Sequence, residues 1–287
     1  MHHWFTYPNL SPIAFHIGSF GVHWYGISYL IGFICVYVWM IRPVALRRLA
    51  LTRDQVQDFI FYAVVGVLVG GRLLYDIADM IAATKNPTTH CSLGCYIAHP
   101  INFIAVWNGG MAFHGGVIGV LLAMWLFVRK HPKLRFTVLG DEIVVLLPIG
   151  IALTRVVNFI NDELWGTVCN PKWPPWCMIP GANATLTNPA TAGQYHHPSQ
   201  LYEAILDIAT LPILLLLYRM KPRDGVVAAA WFTLYGITRT VAEIWRAGGI
   251  PFLGLHGGQL LSVPMMIIGG YFVWYFATRG KVQERTA

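Results

Sequence analysis

Seven long apolar stretches constrain this chain more than any other feature of its sequence. Each approaches or exceeds the roughly 20 residues that a helix needs to cross a bilayer. They lie near residues 18–41, 56–77, 107–128, 138–158, 199–218, 226–246 and 258–278. The stretches lack the alternation of apolar and polar residues that a membrane strand requires, and backbone groups in lipid must be satisfied within the protein. We therefore predict an all-α polytopic membrane protein with about seven transmembrane helices.

The overall composition agrees with a membrane protein and excludes an ordinary soluble domain. Hydrophobic residues make up 56% of the 287 residues, charged residues only 11%, and the mean hydropathy is +0.54. The first stretch is too long for the core of a signal peptide, so we expect it to be retained as a span. We predict one integral membrane domain over residues 1–287, with an exterior loop at about 161–198 and a shorter exterior loop at about 78–106.

The lysines and arginines predict the orientation. With seven spans, 14 of the 20 basic residues would lie on one side of the membrane, in the loops after spans one, three and five and in the tail. By the positive-inside rule this side is cytoplasmic, which places the N-terminus outside and the C-terminus in the cytoplasm. The net charge of +7 therefore reflects mostly topology. Because the basic residues are spread over four loops without a stacking aromatic platform, we expect no nucleic-acid partner.

Four cysteines fall in the two predicted exterior loops. An oxidising compartment favours two disulfides among them, and three pairings remain open. We expect no bound metal, because these thiols form no CxxC pair, and nothing in the sequence predicts a cofactor. The four residues are Cys91, Cys95, Cys169 and Cys177.

Ionisable and amide side chains from five predicted helices converge on the outer half of the membrane. Such groups are costly in lipid unless they pair or line a wet cavity, so they mark a functional site. The arginines in this region outnumber the acidic residues available to pair with them. Planar guanidinium groups bind phosphate through two donors at once. We therefore predict an anion site there. The residues include Arg72, His114, Arg155, Asn158, Glu203, Arg239, Glu243 and Arg246.

Two groups of polar residues can also be explained by a structural role. Tyr235, Arg239, Glu243 and Arg246 are spaced 4, 4 and 3 residues apart, which predicts one shared helix face. Arg239 and Glu243 alone would equally suit an ion pair that locks helices together. At the cytoplasmic end, the acidic pair 141–142 is expected to cap span four.

A transporter of an anionic or lipid substrate is the alternative function. It would need polar groups through the full depth of the membrane, whereas the inner halves of spans one, three, five, six and seven are almost wholly apolar. A receptor-like structural protein would leave the arginines unexplained. The chain also lacks a P-loop and the HExxH and GxSxG patterns.

The segment "TRVVNFINDELWG", residues 154–166, is the most specific motif. It resembles the signature of the bacterial prolipoprotein diacylglyceryl transferases, whose pattern reads G-R-x-x-N-F-x-N-x-E. Thr154 stands where that pattern has Gly. "GGRLLY", "GGMAFHGG", "HPSQLYEA", "ITRTVAEIWR" and "GGQLLSVP" resemble the same family in the same order, so the similarity runs from about Tyr25 to Pro264.

The resemblance implies a multi-pass enzyme of lipoprotein biosynthesis in the bacterial cytoplasmic (inner) membrane, with its active site toward the outer leaflet. Such a transferase moves the diacylglyceryl group of phosphatidylglycerol to the lipobox cysteine thiol of a prolipoprotein, forming a thioether and releasing glycerol phosphate. The expected partners are phosphatidylglycerol, the signal-peptide and lipobox segment of the prolipoprotein, and the lipid bilayer.

We assign three catalytic residues on this basis. Arg155 and Arg239 would hold and stabilise the phosphate, because arginine stays charged. His114 would deprotonate the acceptor thiol, because its ordinary pKa is near neutral. The remaining candidates would bind and orient the substrate or hold the arginines; they are Tyr25, Arg72, Asn158, Asn161, Glu163, Tyr235, Glu243 and Arg246.

Overall fold

A computed structural model describes residues 7–84, 90–105, 110–170, 176–188, 191–220, 222–246 and 257–279 of the chain. The chain forms two compact units. Unit 1 combines Met1–Trp39 with Gly140–Ala287, and unit 2 is Met40–Leu139. Of the predicted basic residues, Lys221, Lys281 and Arg285 lie outside the described residues.

Helices dominate both units. In chain order they are α1 (Trp24–Met40), α2 (Pro43–Leu49), α3 (Arg53–Ala83), α4 (Leu93–Ala98), α5 (Phe113–Lys130), α6 (Phe136–Val144), α7 (Leu147–Ile160), α8 (Ala182–Thr187), α9 (Ser199–Arg219), α10 (Val226–Ala242) and α11 (Gly257–Arg279). Short 3-10 helices occupy Pro100–Phe103 and Glu243–Trp245.

Every apolar stretch predicted to cross the membrane contains helix, which confirms the mainly helical class. Among the described residues, α3 and α9 are each long and apolar enough to cross a membrane. The bent pairs α1–α2 and α6–α7 raise the number to four if each pair forms one span. The second stretch was predicted to end near residue 77, but α3 continues to Ala83, into the segment predicted as the shorter exterior loop.

A β-hairpin precedes α1, and the all-α prediction omitted it. Strands β1 (Ile13–Ile17) and β2 (Phe20–His23) pair antiparallel through a two-residue turn at Gly18–Ser19. Gly18 has φ +61°, a conformation that glycine adopts without steric cost. The first predicted span therefore begins within the hairpin, and its helix starts only at Trp24.

The span predicted at residues 138–158 is divided between α6 and α7. Pro148 stands at the start of α7, where its missing N–H group costs no helical hydrogen bond. Thr154, the departure from the family pattern, fits the interior of α7, because its hydroxyl donates to the Gly150 carbonyl at 2.9 Å.

The acidic pair at the end of α6 connects helices of unit 1, so the expectation that it caps span four is wrong. Asp141 accepts hydrogen bonds from the backbone N–H groups of Gly225 and Ala228, at 2.8 and 2.9 Å, and so caps α10. Glu142 accepts from the Trp39 indole and the Tyr218 hydroxyl. Both carboxylates are fully buried, and their hydrogen bonds link α6 to neighbouring helices inside the protein.

Unit 2 is built on close packing of α3 against α5. Gly66 and Gly70 of α3 face Gly119 and Gly115 of α5, and a Cβ atom at any of the four would overlap backbone of the other helix. Small residues four apart on both helices allow this approach, as is common in membrane helix pairs. The contact holds the first turn of α5, which carries His114, against the C-terminal half of α3.

The cysteines pair locally. Cys91 bonds Cys95 in unit 2, and Cys169 bonds Cys177 in unit 1, so one of the three open pairings is selected. The second disulfide lies in the loop that connects α7 to α9. Val168 and Met178 each form a bridge with His196 there, which gives this loop a small ordered core.

Candidate active site

One buried carboxylate gathers three arginines in unit 1. Glu203, in the second turn of α9, is 3% exposed. Its Oε2 atom lies 2.8 Å from Arg155 Nε, and its Oε1 atom lies 2.7 Å from Arg239 Nη1 and 2.6 Å from Arg246 Nη1. The arginines come from α7, from the last turn of α10 and from the residue after the following 3-10 helix. Two chain regions, α7 and the end of α10 with the residues that follow it, therefore deliver positive charge to one point.

A second carboxylate joins this cluster. Glu243 Oε2 lies 2.9 Å from Arg239 Nη2, so Arg239 bridges two glutamates. The three arginine side chains keep 16% to 18% of their surface exposed, whereas the two glutamates are 3% to 4% exposed. Three guanidinium groups thus meet two carboxylates in direct contact. The exposed surface of the cluster belongs to the cations.

Glu163 is the centre of a second polar cluster. It accepts the Tyr25 hydroxyl at 2.7 Å, the Asn158 amide at 3.4 Å and the Asn161 amide at 3.3 Å. The Asn158 amide also donates to the Tyr25 hydroxyl. Tyr25 lies in the first turn of α1, while Asn158 shares α7 with Arg155, one turn away. The two clusters are therefore carried on the same face of α7.

Side chains at the start of α9 hold the segment that follows α7 by hydrogen bonds to its backbone. The Gln200 amide donates to the Glu163 carbonyl, and the Ser199 hydroxyl donates to the Leu164 carbonyl at 2.8 Å. Glu163 N–H in turn donates to the Asn158 carbonyl at 2.9 Å. Because Ser199, Gln200 and Glu203 all lie in the first two turns of α9, this helix supports both clusters.

The loop after α7 fixes Arg246. Gly166 forms an antiparallel bridge with Arg246, and a Cβ atom at Gly166 would overlap the Trp245 carbonyl oxygen. His196 Nδ1 lies 2.7 Å from the Gly166 carbonyl oxygen and ties the loop to the same point. Burial, reinforced by the neighbouring His196, lowers the pKa of His197. His197 is therefore expected to stay neutral at physiological pH.

Arg72 and His114 belong to unit 2. Arg72 is 7% exposed, and its Nε atom lies 3.0 Å from the Asp76 carboxylate. Its Nη atoms donate to the carbonyls of Gly110, at 3.1 Å, and Asn102. His114 is exposed in the first turn of α5. Arg72 thus fixes Gly110, which lies four residues before His114.

The chain is similar to known proteins over nearly its whole length. The model of the prolipoprotein diacylglyceryl transferase family matches residues 12–275. The chain belongs to this family. A relative from Legionella pneumophila (strain Paris) is 42% identical over 282 residues, covering 94% of this chain and 98% of the relative. Another from Coxiella burnetii (strain Dugway 5J108-111) is 37% identical over 279 residues, covering 94% and 96%. Both relatives carry the name phosphatidylglycerol–prolipoprotein diacylglyceryl transferase.

Nine of the eleven candidate residues assigned from the family resemblance lie in unit 1 and form the two clusters or their immediate contacts. Tyr235 completes the set, because it hydrogen-bonds Arg155. The predicted single helix face for span six needs correction. Helix α10 ends at Ala242, Glu243 lies in a 3-10 helix, and Arg246 has an extended backbone. Arg246 still reaches Glu203, because its bridge to Gly166 holds it there.

Glu203 is the residue that the transferase assignment missed. The sequence places it among the ionisable groups of the outer half, but gives no sign that three arginines share it. A carboxylate in an apolar span, within the family-like segment "HPSQLYEA", was the available signal. Its central position depends on how α7, α9 and α10 pack together. The spacing of residues along the sequence does not predict this packing.

Proposed function

We propose that the Glu203 cluster binds the phosphate of phosphatidylglycerol and that the chain transfers its diacylglyceryl group to the lipobox cysteine of a prolipoprotein. The convergence of Arg155, Arg239 and Arg246 on one carboxylate carries this proposal. Arginine is suited to phosphate because its planar donors match two phosphate oxygens at once. The named relatives, which match nearly the full chain, support the same donor and acceptor.

Arg155 and Arg239 hold the phosphate in this proposal, and Arg246 adds charge from the third side. When the phosphate binds, its oxygens take guanidinium donors on the exposed side of the cluster. Glu203 and Glu243 keep the arginines in place from the buried side. Donors that are already oriented stabilise the negative charge that develops on the leaving phosphate without further rearrangement.

The Glu163 cluster orients the glycerol headgroup. Tyr25, Asn158 and Asn161 present hydroxyl and amide groups beside a carboxylate, a combination that hydrogen-bonds alcohol groups. Tyr235 acts on Arg155 through its hydrogen bond. Glu243 holds Arg239 through an ion pair, with 2.9 Å between Glu243 Oε2 and Arg239 Nη2. The sequence predicted this pairing.

The reaction forms one bond and breaks one. The acceptor thiol loses its proton to His114, because a free thiol with a pKa near 8.5 is mostly protonated at neutral pH. The thiolate sulfur attacks the glycerol carbon that carries the phosphate oxygen, forming the thioether. The carbon–oxygen bond breaks, and glycerol phosphate leaves with the bonding electrons. His114 then returns the proton to solvent.

The membrane arrangement completes the proposal. All seven apolar stretches cross the cytoplasmic membrane, the N-terminus lies outside and the C-terminus lies in the cytoplasm. The positive-inside distribution of lysine and arginine supports this orientation. The residues of both clusters belong to the outer half in this topology, where phosphatidylglycerol of the outer leaflet and a translocated lipobox can both arrive.

Purified protein with phosphatidylglycerol vesicles and a lipobox peptide tests the function directly. Mass spectrometry should find the peptide carrying a diacylglyceryl thioether, together with one glycerol phosphate per transfer. A peptide with Ser in place of the lipobox cysteine serves as the control. Absence of the adduct in the presence of folded protein would reject the proposed reaction.

A further inference from the structure

Asp162 has an unusual backbone conformation at the edge of the Glu163 cluster. Its φ is +61°, in the left-handed region, and Leu164 follows with φ +60°. Side-chain-bearing residues adopt this region at a cost, although aspartate tolerates it better than most. Asp162 stands between the headgroup residues Asn161 and Glu163, at a position that the family pattern N-x-E leaves unspecified.

The Asp162 carboxylate is buried and bonded through both oxygens. It is 2% exposed. Its Oδ1 atom accepts the Trp165 indole N–H at 2.7 Å and the Gly181 backbone N–H at 2.8 Å, while Oδ2 accepts the Ala184 N–H at 2.8 Å. Hydrogen bonds to an ionised carboxylate are stronger than those between neutral groups. These three bonds compensate for the strained backbone.

The surroundings are shaped to receive this carboxylate. A Cβ atom at Gly181 would overlap both the Asp162 carboxylate and the Tyr7 ring, so a larger residue there would displace one of these side chains. Tyr7 donates its hydroxyl to the Ile160 carbonyl at 2.8 Å and packs edge-on against Trp165 at 5.8 Å. The end of α7 and the loop around residue 181 are therefore joined at Asp162.

We propose that Asp162 is a positioning residue for the transfer reaction. Its carboxylate ties the turn to Gly181 and Ala184, and this holds Asn161 and Glu163 against Tyr25. A change in φ at Asp162 would rotate the following peptide and withdraw the Glu163 carboxylate from the Tyr25 hydroxyl. The inference rests on the proposed role of Glu163 in orienting the headgroup.

A double-mutant cycle between Asp162 and Glu163 tests this role. Asp162→Gly removes the three hydrogen bonds and relaxes the backbone, so we expect kcat/KM to fall at least tenfold, mainly through KM for phosphatidylglycerol. Glu163→Gln should cause a comparable loss. If Asp162 acts through Glu163, the double variant is no worse than the poorer single variant, because residues that act as a unit are not additive.

Two further variants separate positioning from general stability. Leu164→Gly relaxes the neighbouring left-handed residue without touching the Asp162 carboxylate, and should keep kcat/KM within about twofold of the parent. Asp162→Asn keeps an acceptor and a residue that tolerates positive φ, so a partial loss is expected. If Asp162→Gly does not fold, Asp162→Asn replaces it in the double-mutant cycle with Glu163→Gln.

Stabilisation by glycerol phosphate in a thermal melt gives a readout independent of turnover. The proposal requires a smaller rise in Tm for Asp162→Gly than for the parent. Losses that multiply in the double variant, measured well below each Tm, would overturn it. So would a fully active Asp162→Gly enzyme. A parent protein that binds glycerol phosphate but transfers nothing would instead reject the reaction, while the melt still tests Asp162.

Discussion

Glu203→Gln is the most informative single substitution, because it removes one charge that three arginines share. The side chain keeps its shape, but Arg155, Arg239 and Arg246 lose an anion at 2.6 to 2.8 Å. Breaking a buried ion pair by neutralising one partner costs about 3–5 kcal/mol. The arginines keep some solvent contact, and Arg239 keeps Glu243, so we expect the low end of this range. The free energy of unfolding should fall by about 3 kcal/mol.

The same substitution should change the response to anions. Phosphate can supply the charge that Glu203 no longer provides, so it should raise the Tm of the variant more than that of the parent. Unfolding in detergent micelles, with phosphate compared against chloride at equal ionic strength, measures this difference. Displaced arginines should also lower kcat/KM by about a hundredfold, the rate equivalent of about 2.7 kcal/mol.

Asp207→Asn is the matched control. Asp207 lies four residues further along α9, is 6% exposed and accepts the Thr238 hydroxyl at 3.3 Å. Its neutralisation removes a buried carboxylate that acts on Arg155 and Arg239 only through longer-range electrostatics, without a direct ion pair, so the extra phosphate effect should be much smaller than in Glu203→Gln. Equal phosphate responses in the parent and Glu203→Gln, with unfolding free energies within about 1 kcal/mol of each other, would refute the argument that Glu203 organises the arginines.

Three further predictions follow from the site and the disulfides. Arg155→Ala and Arg239→Ala should each nearly abolish transfer in protein that remains inserted and folded, and Lys should rescue only partly because it lacks the two-pronged fork; near-normal turnover in either Ala variant removes that residue from the phosphate site. His114→Gln should lower the rate strongly at neutral pH, preserve phosphatidylglycerol binding and recover in part as pH approaches the pKa of the thiol; weakened binding without recovery would move the base elsewhere. Non-reducing mass mapping should find two local disulfides, and reduction should lower Tm more than turnover; four free thiols in protein from the native membrane would contradict the pairs Cys91–Cys95 and Cys169–Cys177.

The helical architecture was predictable because lipid leaves a segment of this length few alternatives. Apolar runs of about 20 residues favour helices, and each of the seven contains one, although the first begins in a hairpin and the fourth is divided between α6 and α7. The sequence analysis missed the hairpin before α1 and the break between α6 and α7, because hydropathy alone does not distinguish them from a continuous helix. Gly18 and Ser19 between two short apolar runs are a hairpin signal, and Pro148 is a helix-start signal, yet both lie inside windows of uniform hydrophobicity.

The candidate site was predictable as a set of residue types, but not as a pattern of contacts. Arg155 and Asn158 lie one turn apart on α7, so their shared face could be read from spacing. The meeting of Arg155 with Arg246 could not, because Arg246 leaves its helix and is fixed by a bridge to Gly166. Long-range contacts of this kind arise from loop geometry, which a helical periodicity does not encode.

In the proposed function, the shared carboxylate accounts for an arginine cluster that is stable without substrate and can still bind phosphate. Three buried guanidinium groups without acids would be costly in an apolar environment, while a full set of matching acids would cancel the attraction for phosphate. Three arginines offer about fifteen N–H donors, whereas two carboxylates provide about eight acceptor positions. Glu203 and Glu243 can therefore hold Arg155, Arg239 and Arg246 together without saturating them. The arginine side chains keep 16% to 18% of their surface exposed. In the proposed function this exposed part receives the anionic headgroup, so the ion pairs that stabilise the resting protein also orient the arginines for phosphate.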